Sequence, residues 1–495
     1  MTQTAPPQTS TEVKPWPALF ALVIGFFMIL VDLTIVTVAT PTIVDKLDAS
    51  INQVVWVSSA YMLAYAVPVL ITGRLGDRFG SKYVYLIGLV IFTLASLWCG
   101  LTSTIGMLIL ARVVQGVGAS MMTPQTMAII TRIFPPADRG KAMAVWGATA
   151  GVAMVVGPIA GGVLTDGLGW EWIFFVNVPV GVLAFVMALR LVPALPTHEH
   201  KFDWLGVALS GVGLFLLAFG IQEGHAHHWA GWILAMIIGG VVMLGLFVLW
   251  QARNRQEPLV PLGLFKDRNF SVSNTAITAM GAVGASMGYP LMLWAQAVRG
   301  YDPTHAALLM VPMAVMSIVL AKTVGGLTDR LHPRQIMGFG FAASFVGMLT
   351  LALQLKPDAN IALLCLSMVI IGVGNAFIWA PTAATATRNL PMHLAGAGAG
   401  VYNAARQVGS VMGSAAIAVI MDARIAAKLP GAAVHGEAGA TKISDPHVAA
   451  LFSQAMSDAL WLPVVLFVVG FLVVLFYERP QHTGFAGAPA ATHAD

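Results

Sequence analysis

Residues 73–82 read Gly73-Arg74-Leu75-Gly76-Asp77-Arg78-Phe79-Gly80-Ser81-Lys82, and residues 325–334 read Gly325-Gly326-Leu327-Thr328-Asp329-Arg330-Leu331-His332-Pro333-Arg334. Each follows a long apolar run, and Asp77 and Asp329 stand 252 positions apart. The same offset carries Gly157 and Gly161 onto Gly409 and Gly413, and an apolar run starting near 18 onto another starting near 270. Three agreements at one offset point to a chain built from two related halves, as many transporters are. A weaker echo, Gly116-Val117-Gly118 against Gly372-Val373-Gly374, falls at 256. The second copy departs from the first at His332, which occupies the position of Gly80.

Working outward, the composition says what those apolar runs are. Of 495 residues 58% are hydrophobic, and 26 Lys plus Arg with 22 Asp plus Glu make only 10% charged. A soluble domain carries about 25% charged residues, so this chain cannot cover a water-facing surface of its size. An all-α integral membrane protein is expected. The two cysteines, Cys99 and Cys365, lie in apolar runs and indicate neither a disulfide framework nor a thiolate metal cluster. Fifty glycines and 25 methionines suit close helix packing and adaptable apolar walls.

A bilayer core of about 30 Å takes roughly 20 apolar residues per helix. Fourteen such stretches are read, with the second at 54–73, the thirteenth at 396–420 and the last at 459–477. The parsing is a tail over 1–17, a six-helix bundle over 18–190, an inserted two-helix hairpin over 203–250, a second six-helix bundle over 270–477, and a tail over 480–495. Both tails are expected to be disordered. The first apolar run is too long for a cleavable leader. Seventeen of the 26 basic residues fall on one set of loops and 6 on the other, so both termini are expected on the cytoplasmic side and a long loop at 421–458 outside. The excess positive charge thus reports topology and not nucleic-acid binding.

Few charges remain within the spans. Asp32 is the one acid in the middle of a span, and by counting residues Arg112 lies at a similar depth, so an ion pair between them is geometrically allowed. Intramembrane acids are costly and commonly serve a pathway; the plainer alternative is a permanent bridge that fixes packing. Residues 73–82 read as a loop whose Gly76 and Gly80 permit a tight turn. Asp77 there would accept hydrogen bonds at a helix start, or pair with Arg78 or another nearby base. Gly151, Gly157, Pro158, Gly161 and Gly162 give the fifth span a small-residue face. Asn403, Arg406 and Gln407 form a polar patch near mid-bilayer that would line a cavity or bond a partner helix. Trp56, Tyr61, Gln115, Asn375 and Trp379 are candidates to line a substrate cavity by stacking and polar contacts, with ordinary packing as the alternative. Lys322 is close enough to a span end to snorkel, and Glu223 reads as a solvated loop acid. His225, His227 and His228 share a loop but lack the further ligands of a metal site, so none is expected.

Four segments carry a family resemblance: Asp32-Leu33-Thr34-Ile35-Val36 with Pro41; Gly73 to Lys82; Arg112-Val113-Val114-Gln115-Gly116-Val117-Gly118; and Gly157-Pro158-Ile159-Ala160-Gly161-Gly162. In this order and on these spans the chain resembles the fourteen-helix drug:proton antiporter branch of the major facilitator superfamily, the EmrB/QacA type, over nearly its whole length. The resemblance implies two six-helix bundles that rock about a central cavity, with proton influx driving export of a lipophilic or cationic compound. It implies proton coupling at Asp32 with Arg112, a gating loop using Gly73, Asp77, Arg78, Gly80 and Lys82, and an antiporter motif at Gly157, Pro158, Gly161 and Gly162. Where family members commonly have an arginine before Trp-Ile-Phe-Phe, this chain has Glu171.

The partners expected are a small-molecule substrate and the lipid bilayer, with the protein working as a monomer and a periplasmic adaptor left open. No cofactor is expected beyond the proton as coupling ion. The location expected is the cytoplasmic membrane. The alternative within transport is an exporter of one metabolite or antibiotic. An enzyme is not expected, since no metal-binding or nucleophile pattern lies in the spans, and an ATP-driven pump would need a phosphate-binding loop.

Overall fold

A computed structural model describes residues 14–49, 51–135, 138–197, 203–224, 227–254, 258–391, 394–429 and 443–479. Every regular element among them is helical. The first bundle comprises α1 (Pro15–Lys46), α2 (Ile51–Ala66), α3 (Val69–Phe79), α4 (Ser81–Gly100), α5 (Ile105–Ile133), α6 (Arg139–Gly167), α7 (Trp172–Phe175) and α8 (Asn177–Leu191). A hairpin of α9 (Trp204–Glu223) and α10 (Gly231–Arg253) follows. The second bundle runs through α11 (Arg268–Ala297), α12 (Pro303–Leu308), α13 (Val311–Arg330), α14 (Pro333–Gln354), α15 (Ile361–Arg388), α16 (Ala395–Lys428), α17 (Pro446–Ala459) and α18 (Trp461–Val474). Among the described residues thirteen helices are long and apolar enough to cross a bilayer, and the pair within α2 and α3, bent by 45°, makes a fourteenth.

Local sequence sets where these helices start and bend. Thr104, Asp203, Asp267, Asn360 and Asp445 each accept a backbone N–H of the first turn, satisfying donors a helix leaves orphaned. Pro68, which lacks an N–H, sits at the bend between α2 and α3. Gly80, at φ +92°, makes the turn from α3 into α4, a conformation that a side chain would strain. Hydrophobic side chains face two solvents. Leu19, Met127, Met280 and Trp294 are buried inside the bundles, while Ile238, Val241, Val248 and Leu249 on α10 are more than half exposed, as on a lipid-facing helix.

Helix contacts repeat between the halves: α1 packs on α6 as α11 packs on α16, and α4 on α5 as α14 on α15. The bundles meet where α6 lies along α13 and α15, and where α3 and α5 lie along α16. The inserted α9 leans on α2 and α16. Its base is tied down by Asp203, which accepts from Gly206 N–H (2.8 Å), Trp250 Nε1 (2.8 Å), Gln251 Nε2 (2.7 Å) and Leu259 N–H (3.4 Å). Burial opposes its charge, yet these donors hold the carboxyl below its ordinary range.

Several expectations are corrected. Residues 73–79 are not loop but the last turns of α3, with Gly73, Gly76 and Asp77 buried, because Val69 and Thr72, whose hydroxyl donates to Ser120 O of α5, extend a helical face toward α5 and α16. The loop at 421–458 is shortened from both ends, since α16 continues to Lys428 and α17 starts at Pro446. Ala449, Phe452, Ala455, Met456 and Ala459 bury one face of α17, which runs on into α18 as one candidate span over Pro446–Val474. Glu223 is buried, 5% exposed, with His227 Nε2 at 3.5 Å. The tails at 1–13 and 480–495, and His225, lie outside the described residues. A Cβ on Gly157 would overlap α1 at Thr34, and one on Gly409 or Gly413 would overlap α11 at Thr278 or Ala282, so in both halves glycine lets the same pair of helices close.

Candidate proton site and bundle seam

Two sites emerge, one inside the first bundle and one where the bundles meet. α5 carries Arg112 and Gln115 one turn apart, and both face α1 at Asp32. The Arg112 guanidinium is ion-paired with Asp32, and its Nη1 also donates to Gln115 Oε1 at 2.6 Å. Gln115 Nε2 donates to Asp32 Oδ1 at 2.9 Å, and Asn177 Nδ2, at the start of α8, donates to the same oxygen at 3.1 Å. Ser96 on α4 receives from Asn177 (3.0 Å) and Gln115 (3.2 Å) and donates to Phe174 O at 3.0 Å. Asp32, Ser96, Arg112 and Gln115 are all 0% exposed, so the charges are neutralised only by one another.

Arg112 also holds α2. Its Nε donates to Val57 O at 3.1 Å, and its guanidinium lies 4.1 Å from the Tyr61 ring centroid. One cation therefore ties α1 to α2, and α2 leads across its bend into α3. Tyr61 and Gln115 thus belong to the Asp32 cluster. Sequence reading missed Asn177 and Ser96, whose signal was faint: single polar residues in apolar runs, 145 and 64 positions from Asp32.

At the seam, Asp77 pairs with Arg132 Nη2 of α5 at 2.7 Å, and not with Arg78. It also accepts the N–H groups of Gly396 (3.2 Å) and Ala397 (3.1 Å), the first turn of α16 in the other bundle, where the helix dipole favours a negative charge. A Cβ on Gly73 would stand 2.7 Å from Gly396 O, so glycine there lets α3 close on α16. Arg78 is exposed with its guanidinium 5.3 Å from the Phe79 ring, and Lys82 Nζ donates to Leu189 O at 2.8 Å. Arg74 reaches the linker into the second bundle, donating from Nε to Leu259 O (3.0 Å) and from Nη2 to Pro258 O.

The second copy builds a related contact. Asp329 Oδ1 accepts the Gly140 N–H at 3.2 Å at the start of α6, and a Cβ on Gly325 would stand 2.9 Å from Lys141 Cα. Arg388, 256 positions after Arg132, donates to Thr328 O at 3.4 Å, and Asp329 Oδ2 is buried without a partner. This latch is the same by placement and lacks the direct ion pair. Gly147 and Gly151 of α6 face Ala380 and Ser317 of the second bundle, at 3.5 and 3.6 Å from an added Cβ. The buried Gly157, Pro158, Gly161 and Gly162 continue that helix, Gly157 turning against α1.

The remaining candidates are dispersed. Trp56 packs against Phe219 of the inserted α9, ring centroids 5.3 Å apart and planes tilted by 40°. Asn403 is buried and donates to Ala399 O (2.9 Å) and Met127 Sδ (3.8 Å). Arg406 Nη2 donates to Tyr65 Oη at 3.0 Å, bridging α16 to α2. Gln407 borders an apolar groove between α2, α9 and α16. Asn375 is half-buried with Oδ1 unpartnered, and Trp379 packs on the second bundle's core. Lys322 is exposed. Among the described residues no group of metal ligands forms.

The Major Facilitator Superfamily profile matches residues 22–414, and the duplicated bundles follow its architecture. The chain belongs to the major facilitator superfamily. An uncharacterized MFS-type transporter of Mycobacterium tuberculosis is 52% identical over 483 residues, spanning 97% of this chain and 83% of that protein. The multidrug export protein EmrB of Escherichia coli K12 is 31% identical over 400 residues, 80% of this chain and 78% of that one, in keeping with the drug-exporter branch of the superfamily. A solved superfamily proton:xylose symporter aligns with a TM-score of 0.65 over 92% of this chain and 94% of its own, and at 14% identity it speaks for the fold alone. As a member of the superfamily the chain is a multi-pass secondary transporter and not an enzyme.

Proposed function

We propose that the protein is a proton-coupled exporter of lipophilic small molecules. It sits in the cytoplasmic membrane with both termini inside, uses no cofactor beyond the proton, and works as a monomer. The observation that carries the reading is the buried Asp32–Arg112 pair, whose cation also grips α2. A proton delivered to Asp32 cancels the charge that holds Arg112. The released guanidinium no longer pins Val57 and Tyr61, and α2 is freed to turn. Through the bend at Pro68 that motion reaches α3, where Asp77 latches α16. Protonation and opening of the Asp77 seam are then one coupled event, and the direction of export follows from the proton gradient. The similarity to exporters such as EmrB supports the same reading.

The test is transport in proteoliposomes under an imposed pH gradient, with substrates drawn from a susceptibility panel in a pump-deleted host. Asp32→Asn should abolish gradient-driven export and leave a monodisperse, folded protein. Export by Asp32→Asn equal to that of the parent would sink the reading. If only one compound shows an Asp32-dependent shift, the protein is a narrow-specificity exporter.

A further inference from the structure

Tyr61 and Tyr65 stand one turn apart on α2 and share a face, with ring centroids 6.2 Å apart, and both are fully buried. Each holds a guanidinium from a different bundle. The Tyr61 ring lies 4.1 Å from the guanidinium of Arg112 on α5, the ion partner of Asp32, while the Tyr65 hydroxyl accepts from Nη2 of Arg406 on α16 at 3.0 Å. That hydroxyl gives its own proton to Thr123 Oγ1 at 2.9 Å, and Thr123 donates in turn to Ala119 O at 3.1 Å. Successive donors thus point one way, from a cation of the second bundle to a carbonyl of α5, and such a chain is polarised and strengthened along its length.

Among the described residues no other side chain bonds the Arg406 guanidinium, and its Nε is buried without a partner. A hydrogen bond to a charged group is worth more than a neutral one, and it is gone once donor and acceptor stand more than about 3.5 Å apart. Oη is the outermost atom of its side chain, so it swings furthest when α2 turns. The repeat shows that these residues belong together. At the 256 offset that relates Arg132 to Arg388, Tyr61, Tyr65 and Arg112 fall on Ser317, Ala321 and Met368, and Arg406 falls on Ala150. The opposite seam has neither tyrosine nor guanidinium at these places and closes by Gly147 on Ala380 and Gly151 on Ser317. Both tyrosines and both cations therefore occur once, on the seam whose α2 is gripped by Arg112.

Resting on the proton-coupled reading, we propose that Tyr65 is a positioning residue that passes the state of Asp32 straight to the second bundle. While Asp32 is charged, Arg112 keeps Tyr61 and α2 in place, and Tyr65 keeps Arg406 tied to the first bundle. When Asp32 takes a proton and α2 turns, the same motion releases Arg406. The bundles then part deep in the membrane in that step, and not only through the bend at Pro68.

The test reads seam opening as maleimide labelling of Ala397→Cys in full-length protein in nanodiscs at fixed neutral pH, with the parent's own labelling subtracted. Tyr65→Phe keeps the ring and removes Oη, and should speed labelling about tenfold. Thr123→Val, which leaves α2 and α16 untouched, should speed it less. Asp32→Asn should speed labelling in the parent, and by a factor at least about threefold smaller in Tyr65→Phe, because the bond it would release is already gone. Unchanged labelling in Tyr65→Phe overturns the proposal. So does Asp32→Asn acting by the same factor in both backgrounds, which would make Tyr65 an ordinary packing contact. If Tyr65→Phe does not fold, Thr123→Val carries the same comparison. Asp32→Asn without effect in the parent overturns the proton-coupled reading and this proposal with it, whereas the first two results leave that reading standing.

Discussion

Asp32 and Arg112 are worth more to one another than either is to the fold. Each is fully buried, and removing one strands the other in low dielectric, which costs about 3–5 kcal/mol. Arg112→Ala should therefore lower the melting temperature in detergent well below that of Asp32→Asn, which keeps a polar group facing the guanidinium. A melting curve for Arg112→Ala that overlays the parent would show that the pair is not stabilised as described. Asn177 donates to Asp32 from a third helix, so Asn177→Ala should cost less, about 1–3 kcal/mol, and shift the pH dependence of export. The pH–rate profile separates that effect from simple loss of packing. The ion pair was legible from residue counting along two helices; Asn177 was not, because nothing in an apolar run says which neighbour a lone amide will meet.

At the scale of helices, the glycines of α3 and α6 decide how the bundles meet. Gly73→Val would set side-chain atoms against Gly396 O, where even a Cβ stands at 2.7 Å. The α3–α16 seam should then stay open, and a cysteine placed at Ala397 should label faster than in the parent background. Unchanged labelling would mean that the helices slide to accommodate the side chain. Gly157→Leu would press on Thr34 of α1, two residues from Asp32, and should uncouple export from the proton gradient with increased proton leak. Normal coupling and normal leak in that variant would reduce the motif to packing. Residues 73–82 illustrate the reach of sequence reading. The motif was recognisable and Gly80 makes the expected turn, but Gly73 and Gly76, read as loop, are helical positions that permit close approach.

For the whole molecule, Asp203 and Arg74 anchor the inserted hairpin and the linker at 258–260 beside α3. The Asp203 carboxyl titrates below its unfolded value of about 3.9, so its stabilisation is complete above that pH and is lost as pH falls through the lower folded value. Thermal stability in detergent should fall with acidification in that window, and Asp203→Asn should be less stable at neutral pH and flatter across it. A parallel profile for parent and variant would assign the acid sensitivity to other groups. Because Arg74 bonds the linker from the helix that carries Asp77, loosening this anchor should also alter export.

The sequence by itself determined that the chain is membrane-embedded, that it is duplicated around an inserted hairpin, and that one acid and one base share a depth. Hydropathy and repeat spacing are local, additive signals, and they survive without knowledge of contacts. Tertiary structure alone decided that Asp77 caps α16 and Asp329 faces α6, each across the seam, and that the halves correspond through Gly140 and Gly396, and Arg132 and Arg388, at the 256 offset that looked like the lesser echo. It alone decided that Arg406 of α16 meets Tyr65 of α2. Those facts depend on which helix faces lie within about 3 Å of one another, and in a bilayer, where every outer face is apolar, the pattern of a single helix does not specify its neighbour.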